Sequence, residues 1–218
     1  MLFIRPLLTV LAAGLALAPA ATAATLATDK RCYQEGADVV ATGTGFLPER
    51  FVGVALDNQP LGFAVTTDQG IFRNKLVAPS LPSGQRERLH ALAASDGTNT
   101  AIRHFRATQV LAGFSPTTGT LGTLRVRFHV YGFGLYKSGA KVYVHYVRPN
   151  GRLRHTVYLG AAIGVCGHIR RTSKRLLFPF SPERGTWKLQ FDTRKGYYGK
   201  ATAKSKYAWF RRTVQVGD

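Results

Sequence analysis

Acidic residues are scarce in this 218-residue sequence, and the deficit lies in its second half. Residues 111–218 contain three, Glu183, Asp192 and Asp218, against twenty Lys or Arg, a net charge of +17. Residues 24–110 contain eight acids against nine cations, a net charge of +1. A glycosidase needs a pair of carboxyl groups, for which the basic half offers only Glu183 and Asp192. We instead expect Asp192 to cap a turn or to pair with a neighbouring arginine.

Motifs with a defined chemistry are also missing. The sequence contains no Gly-x-Ser-x-Gly elbow and no phosphate-binding glycine motif. Among the six histidines, the alternation places His129 and His145 on the outer faces of predicted strands and His155 on the opposite face of its strand. Because no third ligand follows at a suitable spacing, we predict no metal site and no cofactor. We interpret these histidines as surface or partly buried residues.

No segment has a helical period, and no second long apolar run follows the first. That run extends from Pro6 to Ala18, after Arg5 and before Ala21-Thr22-Ala23. A positive start, a short apolar region and an Ala-x-Ala end predict a signal peptide at residues 1–23, cleaved near Ala23. No cysteine follows directly, so a lipoprotein is not indicated. A retained anchor is the alternative to our expectation of a secreted or envelope-associated chain.

The clearest strand pattern begins at Thr123. Leu124, Val126, Phe128 and Val130 alternate with Arg125, Arg127, His129 and Tyr131. Period two predicts a core face for the first set and a solvent face for the second. Further strands are predicted at 141–147 and 152–159, and Pro149-Asn150-Gly151 predicts the hairpin turn between them.

The first half contains short strand candidates separated by Gly, Asp and Asn turns, at 39–44, 51–56, 62–67, 71–77, 89–94 and 101–107. This spacing is typical of an immunoglobulin-like sandwich. Four segments resemble the bacterial Ig-like repeats of the IPT/TIG type, namely 43–48, 52–56, 60–62 and 67–72. Such repeats are common in exported proteins of high-GC Gram-positive bacteria. The resemblance covers about residues 30–108 and implies a spacer or adhesion module without catalytic residues.

Residues 110–116 are interpreted as a connection, which divides the chain into a near-neutral domain at 24–110 and a basic domain at 111–218. Further strands are predicted at 160–167, 176–180, 185–193 and 207–216, with Trp187 facing the core. The second half resembles a C-terminal module of the same exported proteins at 144–147, 159–160, 166–167 and 178–180; this resemblance implies a location and no assigned activity. We therefore predict an all-β chain of two tandem immunoglobulin-like β-sandwich domains after the signal peptide.

The sequence has two cysteines, Cys32 and Cys166. An even count in an exported chain favours a disulfide, although an end-to-end arrangement of the domains would keep the two apart. The alternative makes Cys166 a thiolate nucleophile with His168 or His145 as its base. Residues 165–168 superficially resemble the cysteine motif of L,D-type cell-wall transpeptidases, but the residue order differs and the His-Gly-Thr element of those enzymes is absent. We favour the disulfide and a non-catalytic protein.

Cations and aromatic residues are interleaved in the second half. The candidate polyanion-binding cations are Arg125, Arg127, Arg170, Arg171, Lys174, Arg175, Arg194, Lys195, Lys200, Lys204, Lys206, Arg211 and Arg212, and the candidate stacking residues are Tyr197, Tyr198 and Trp209. Such surfaces bind polyanions in a salt-dependent way. We expect an anionic polymer or acidic lipid surface of the cell envelope as the partner, since nucleic acid is less apt outside the cell. The alternatives are a merely solvated cationic surface, or a domain whose partner protein binds an exposed sheet edge.

Overall fold

The computed structural model describes residues 23–120, 122–199 and 207–217, so the predicted signal peptide, except Ala23, lies outside the described residues. The described part of the chain is all-β. Its fifteen strands are β1 (Thr25–Thr28), β2 (Cys32–Gln34), β3 (Asp38–Thr44), β4 (Phe51–Leu56), β5 (Gln59–Val65), β6 (Phe72–Val77), β7 (Glu87–Ser95), β8 (Thr100–Thr108), β9 (Leu111–Ser115), β10 (Arg125–Tyr131), β11 (Lys141–Val147), β12 (Leu153–Ala161), β13 (Arg175–Leu176), β14 (Gly185–Asp192) and β15 (Trp209–Val216). Within these ranges, no helix is long and apolar enough to cross a membrane.

The first half is a β-sandwich of two sheets, with strand orders β1-β3-β6 and β2-β8-β7-β4-β5. Their facing sides enclose a core that includes Tyr33, Phe46 and Phe105. Buried and exposed residues alternate along β3 and β4, as expected for strands covered on one face. Asp57 and Asn58 join β4 to β5 and both have positive φ, 49° and 66°, which matches the twist of a tight hairpin.

The second half is a sandwich of sheets β9-β10-β13 and β12-β11-β14-β15. Val126, Phe128 and Val130 of β10 are wholly buried, which confirms the predicted alternation. Trp187 is also in the core, and its indole Nε1 donates to the carbonyl oxygen of Glu183. The hairpin at 149–151 is confirmed by a bond of 2.9 Å from Arg148 N to Arg152 O. The predicted all-β sandwich class is therefore confirmed.

One predicted connection and two predicted strands are wrong in part. The presumed connection at 110–116 contains β9, because Ala112 and Phe114 are buried opposite Val130 and Phe128 of β10. The strand predicted at 160–167 ends at Ala161, since glycines at positive φ turn the chain at 164 and 167. The strand predicted at 176–180 ends at Leu176. The proline at 179 has no amide hydrogen and so cannot donate a backbone hydrogen bond to a neighbouring strand.

The two sandwiches are joined by a disulfide between Cys32 and Cys166, with 5.3 Å between the Cα atoms. The prediction of a bridge is confirmed. Cys32 is in β2, and Cys166 lies in the turn that follows β12. The turn is held in place because Gly134 N donates to Cys166 O and Phe133 N to Gly167 O, both at 2.9 Å. A side chain at Gly167, whose φ is +73°, would clash with the backbone of Gly134.

The bridge excludes the alternative in which Cys166 is a thiolate nucleophile. Cys166 is wholly buried and bonded to Cys32, and the described residues contain no free cysteine. His168, one of the two suggested bases, instead faces the first half, where its Nδ1 is 3.9 Å from Glu87 Oε2. The reading of Cys166 as a catalytic residue is therefore wrong.

Candidate functional site

Apart from Arg212, the described candidate cations form two groups on opposite faces of the second sandwich. Arg125 and Arg127 lie on the outer face of β10, because they alternate with its buried residues. The chain from 169 to 176 runs beside β10 and adds four cations; the β10 surface thus comprises Arg125, Arg127, Arg170, Arg171, Lys174 and Arg175. The second group, the β15 surface, lies outside β14 and β15 and comprises Arg194, Lys195, Tyr197, Tyr198, Trp209 and Arg211. Charge density along the sequence does not distinguish these two faces.

The remaining four candidates are not assigned to either surface. Lys200, Lys204 and Lys206 lie outside the described residues. Arg212 extends toward β9, and its guanidinium carbon is 5.1 Å from the ring centre of Phe114. Burial and the positive charges of Arg212 and Arg86 lower the pKa of His129, which disfavours a positive charge on this histidine.

A cavity of about 540 Å³ opens between the two sheets at the β10 surface. Arg125 and Arg175 lie at this cavity together with Val157 and Leu176. Arg175 spans the gap, since its Nη1 donates to the carbonyl oxygen of Tyr158 in the opposite sheet at 3.4 Å. The β10 surface therefore combines exposed cations with an apolar recess.

The β15 surface rests on a buried polar network that sequence reasoning missed. His145, Gln190 and Asp192 occupy outward positions on β11 and β14, yet each is 0% exposed. The segment 193–199, hereafter the Tyr197 loop, covers them: the ring centre of Tyr197 is 5.7 Å from that of His145. The expectation that His145 is a surface or partly buried residue is wrong, because strand parity does not reveal what covers a face.

Every polar group of His145 and Asp192 has a partner in this network. His145 Nε2 lies 3.2 Å from Asp192 Oδ1 and 3.1 Å from the carbonyl oxygen of Arg194, so Nε2 carries a hydrogen. His145 Nδ1 lies 2.8 Å from the Thr156 hydroxyl, which can accept or donate this hydrogen bond. Asp192 also accepts from Gln190 Nε2 at 2.9 Å and from the backbone N of Arg194 at 2.8 Å. The predicted cap is thus confirmed, whereas the carboxylate pairs with His145 rather than with an arginine.

The network positions two arginines at the surface. The guanidinium carbon of Arg194 lies 4.1 Å from the ring centre of Tyr198 and 5.2 Å from that of Tyr207, within the range of cation–π attraction. Arg211 donates through Nη2 to Gln190 Oε1 at 2.8 Å and to the carbonyl oxygen of Gly199 at 3.0 Å. Its guanidinium carbon is 5.8 Å from the ring centre of Trp209. These contacts limit the rotamers of both side chains before any ligand arrives.

No acidic side chain in the described part of the molecule neutralises the positive charge of either surface. Only two acids of the second half lie in the described ranges. Asp192 pairs with His145, and Glu183 pairs with Arg148, whose Nη1 is 3.7 Å from Glu183 Oε2. No salt bridge within the described residues involves a member of the β10 or β15 surface. The same residues contain no group of three or more His, Cys, Asp or Glu that could hold a metal ion.

Comparison with known proteins gives similarity at the level of fold alone. No protein family and no curated protein matches the sequence. The solved structures that are similar include an Escherichia coli alpha-2-macroglobulin activated by porcine elastase, at 16% identity and a TM-score of 0.31 over 89% of this chain and 20% of that one. A Salmonella alpha-2-macroglobulin reacted with methylamine aligns at 15% identity and a TM-score of 0.31 over 88% of this chain and 14% of that one.

A segment of two fibronectin type III domains from chicken tenascin aligns at 11% identity and a TM-score of 0.31, over 88% of this chain and 97% of that one. The chain therefore spans about a fifth or less of the two alpha-2-macroglobulins and nearly all of the tenascin segment. The resemblance to IPT/TIG repeats stays a prediction.

Proposed function

We propose that this protein is an exported, non-catalytic binding module that associates with anionic polymers of the cell envelope through its basic second half. The β15 surface is the primary contact. The observation that carries the proposal is Arg194, whose guanidinium lies over the rings of two tyrosines and has no acidic partner in the described part of the chain. A planar guanidinium with several fixed donors suits phosphate or carboxylate oxygens.

The aromatic neighbours add a second kind of contact. Tyr198 is about half exposed and lies beside Arg194. Aromatic faces stack on sugars or bases while cations meet the charges of the chain. Teichoic-type polymers and phosphorylated glycans combine both features, and acidic lipid headgroups supply the charge alone. Export is supported by the signal-peptide pattern at residues 1–23 and by a buried disulfide, which is typical of oxidising compartments.

Two charge-matched double variants test the proposal in the mature chain, residues 24–218. Arg194→Gln with Lys195→Gln removes two cations from the β15 surface, and Arg170→Gln with Arg171→Gln removes two exposed cations from the β10 surface. We measure retention on immobilised polyphosphate and plot the logarithm of the affinity against the logarithm of the salt concentration. We expect the first pair of substitutions to reduce the steepness of this line by about 2, and the second pair to change it by much less.

Equal losses in both double variants would contradict a defined β15 site, because retention would then follow net charge alone. Unchanged retention in both would mean that neither surface contacts the polymer. The alternative function, adhesion to a partner protein through a sheet edge, stays a prediction and does not require either result.

A further inference from the structure

The cavity at the β10 surface lies along an open side of the second sandwich. β13 is the end strand of one sheet and β12 is the end strand of the other, and the cavity of about 540 Å³ opens between them. We call it the Arg175 recess, because Arg125 and Arg175 stand at its rim. Sites for small molecules are typically clefts of this size, with apolar walls and a few polar groups. The lining residues have this composition.

The floor and the walls of the recess are apolar. Tyr146 lies at the bottom and is 1% exposed, and its hydroxyl donates to the carbonyl oxygen of Leu177 at 2.7 Å. Because the hydroxyl is already bonded, Tyr146 presents its ring to the recess. Val157 of β12 lines one side, and Leu176 of β13 and Pro179 line the other. A hydrocarbon chain placed here leaves water without covering an unpaired polar group.

The register of β13 explains why an arginine stands at this rim. Arg175 pairs with Val126 of β10, and opposite residues of antiparallel strands point to the same face. Val126 is wholly buried, so the side chain of Arg175 starts on the core side and leaves through the gap between the sheets. Leu176 pairs with Arg125, which brings a second guanidinium to the recess.

The polar contacts of Arg175 are long. Its Nη1 lies 3.4 Å from the carbonyl oxygen of Tyr158, and its Nη2 lies 3.5 Å from Ser173 Oγ, whereas such bonds are usually about 2.7–3.2 Å. No salt bridge within the described ranges involves Arg125 or Arg175, and none of the residues that line the recess is acidic. An anion at the rim therefore exchanges two weak contacts for charge-assisted hydrogen bonds.

We propose that the Arg175 recess binds a single-chain anionic amphiphile, with its charged head at Arg125 and Arg175 and its hydrocarbon chain along the apolar floor and walls. A polymer of phosphates or sugars has no long apolar segment for these walls, and a neutral hydrocarbon leaves both guanidinium groups without an anion. A methylene group is about the size of a water molecule, which takes about 30 Å³ in the liquid, so a chain of about ten carbons and its head fit. The site is separate from the β15 surface and does not rest on the proposed function.

Calorimetric titration of residues 24–218 with monomeric decyl phosphate tests the inference. Inorganic phosphate supplies the head alone, and decanol supplies the chain alone. We expect saturable one-to-one binding of decyl phosphate and at least about 100-fold weaker binding of inorganic phosphate, because each buried methylene strengthens binding about fourfold. Decanol should bind at least about tenfold more weakly than decyl phosphate, since it lacks the charged partner of the arginines. Affinity for either control that equals that for decyl phosphate would overturn the inference, as would the absence of saturable binding.

Two matched pairs of variants locate the binding. Arg175→Gln should weaken decyl phosphate binding at least about tenfold, whereas Arg170→Gln, at an exposed cation of the β10 surface that does not line the recess, should change it less than about twofold. Leu176→Gln should weaken binding at least about threefold, whereas Leu153→Gln should not. These two leucines are 38% and 42% exposed, and only Leu176 lines the recess. Equal losses within a pair of folded variants would contradict the assigned site, and the second pair tests it even if Arg175→Gln fails to fold.

Vesicles distinguish the two sources of such a chain, a free amphiphile and a membrane lipid. Phosphatidylglycerol vesicles are sedimented with the protein at high salt, where attraction between surface charges is screened. Weaker co-sedimentation of Leu176→Gln than of Leu153→Gln supports the site with a membrane lipid as its ligand, and equal co-sedimentation supports it with a free amphiphile, provided that decyl phosphate binds as expected. Retention on polyphosphate is measured separately and should be the same for Arg175→Gln and Arg170→Gln. Failure of this inference is therefore distinguishable from failure of the proposed function.

Discussion

Replacing Cys32 and Cys166 together by alanine is expected to lower the free energy of unfolding by about 5 kcal/mol. The bridge spans 134 positions of sequence, and closing so long a loop removes much of the conformational freedom of the unfolded chain. Denaturant unfolding, followed by the fluorescence of the buried Trp187, measures the change directly.

Replacing the cysteines by alanine also removes two buried sulfur atoms, which can leave cavities. Reduction of the wild type breaks the bridge without removing these atoms and is therefore the control. Both cysteines are buried in the native chain, at 5% and 0% exposure for Cys32 and Cys166, so we expect reductant to act only when the chain opens. Wild type reduced in denaturant and refolded with reductant present should show the same loss of stability as the double variant. An unfolding midpoint that is the same with and without the bridge would contradict the expected contribution of the disulfide to stability.

Removing the carboxylate of Asp192 is the second substitution with a large expected effect. Asp192→Ala removes one acceptor from Nε2 of His145, from Nε2 of Gln190 and from the backbone N of Arg194, next to the wholly buried side chains of His145 and Gln190. Breaking a buried charged network from one side costs about 4 kcal/mol. We expect a loss of that size in denaturant unfolding and the release of the Tyr197 loop from the sheet.

The same variant distinguishes two explanations of polyphosphate binding, namely a defined site and the net charge of the chain. Asp192→Ala raises the net charge by one and so should strengthen retention on polyphosphate if only net charge matters. If the network positions Arg194 and Arg211, retention should instead weaken, under conditions where circular dichroism shows the variant folded. Glu183→Ala raises the charge equally at an exposed pair with Arg148, and it should cost no more than about 1 kcal/mol of stability. Stronger binding by Asp192→Ala than by Glu183→Ala would contradict the role given to the network.

The sequence predicts the strands and the core faces because period two depends only on local alternation. Val126 and Phe128 are buried where the pattern puts them, and the hairpin at 149–151 follows from its turn residues. β9 is missed, because a short segment with a glycine and a following proline has no pattern that separates it from a linker. It becomes a strand through its pairing with β10.

The site is harder to predict, because it depends on what folds over an outer face. Alternation correctly places His145 outside the core, but no local pattern indicates that the Tyr197 loop returns to cover it. The cations show the same limit. Arg127 and Arg194 both read as exposed basic residues, and only the pairing of the sheets places them on opposite sides of the sandwich. Which charges act together is a property of the tertiary structure.

The most direct test of polyanion binding is the retention of residues 24–218 on immobilised polyphosphate across a salt series. If the β15 surface binds the polymer, the logarithm of the affinity should fall linearly and steeply with the logarithm of the salt concentration, with a slope set by several cation contacts. Absence of retention at low salt, or retention that does not depend on salt, would contradict the proposal. The net charge of +17 in the second half would then be only a solvated surface.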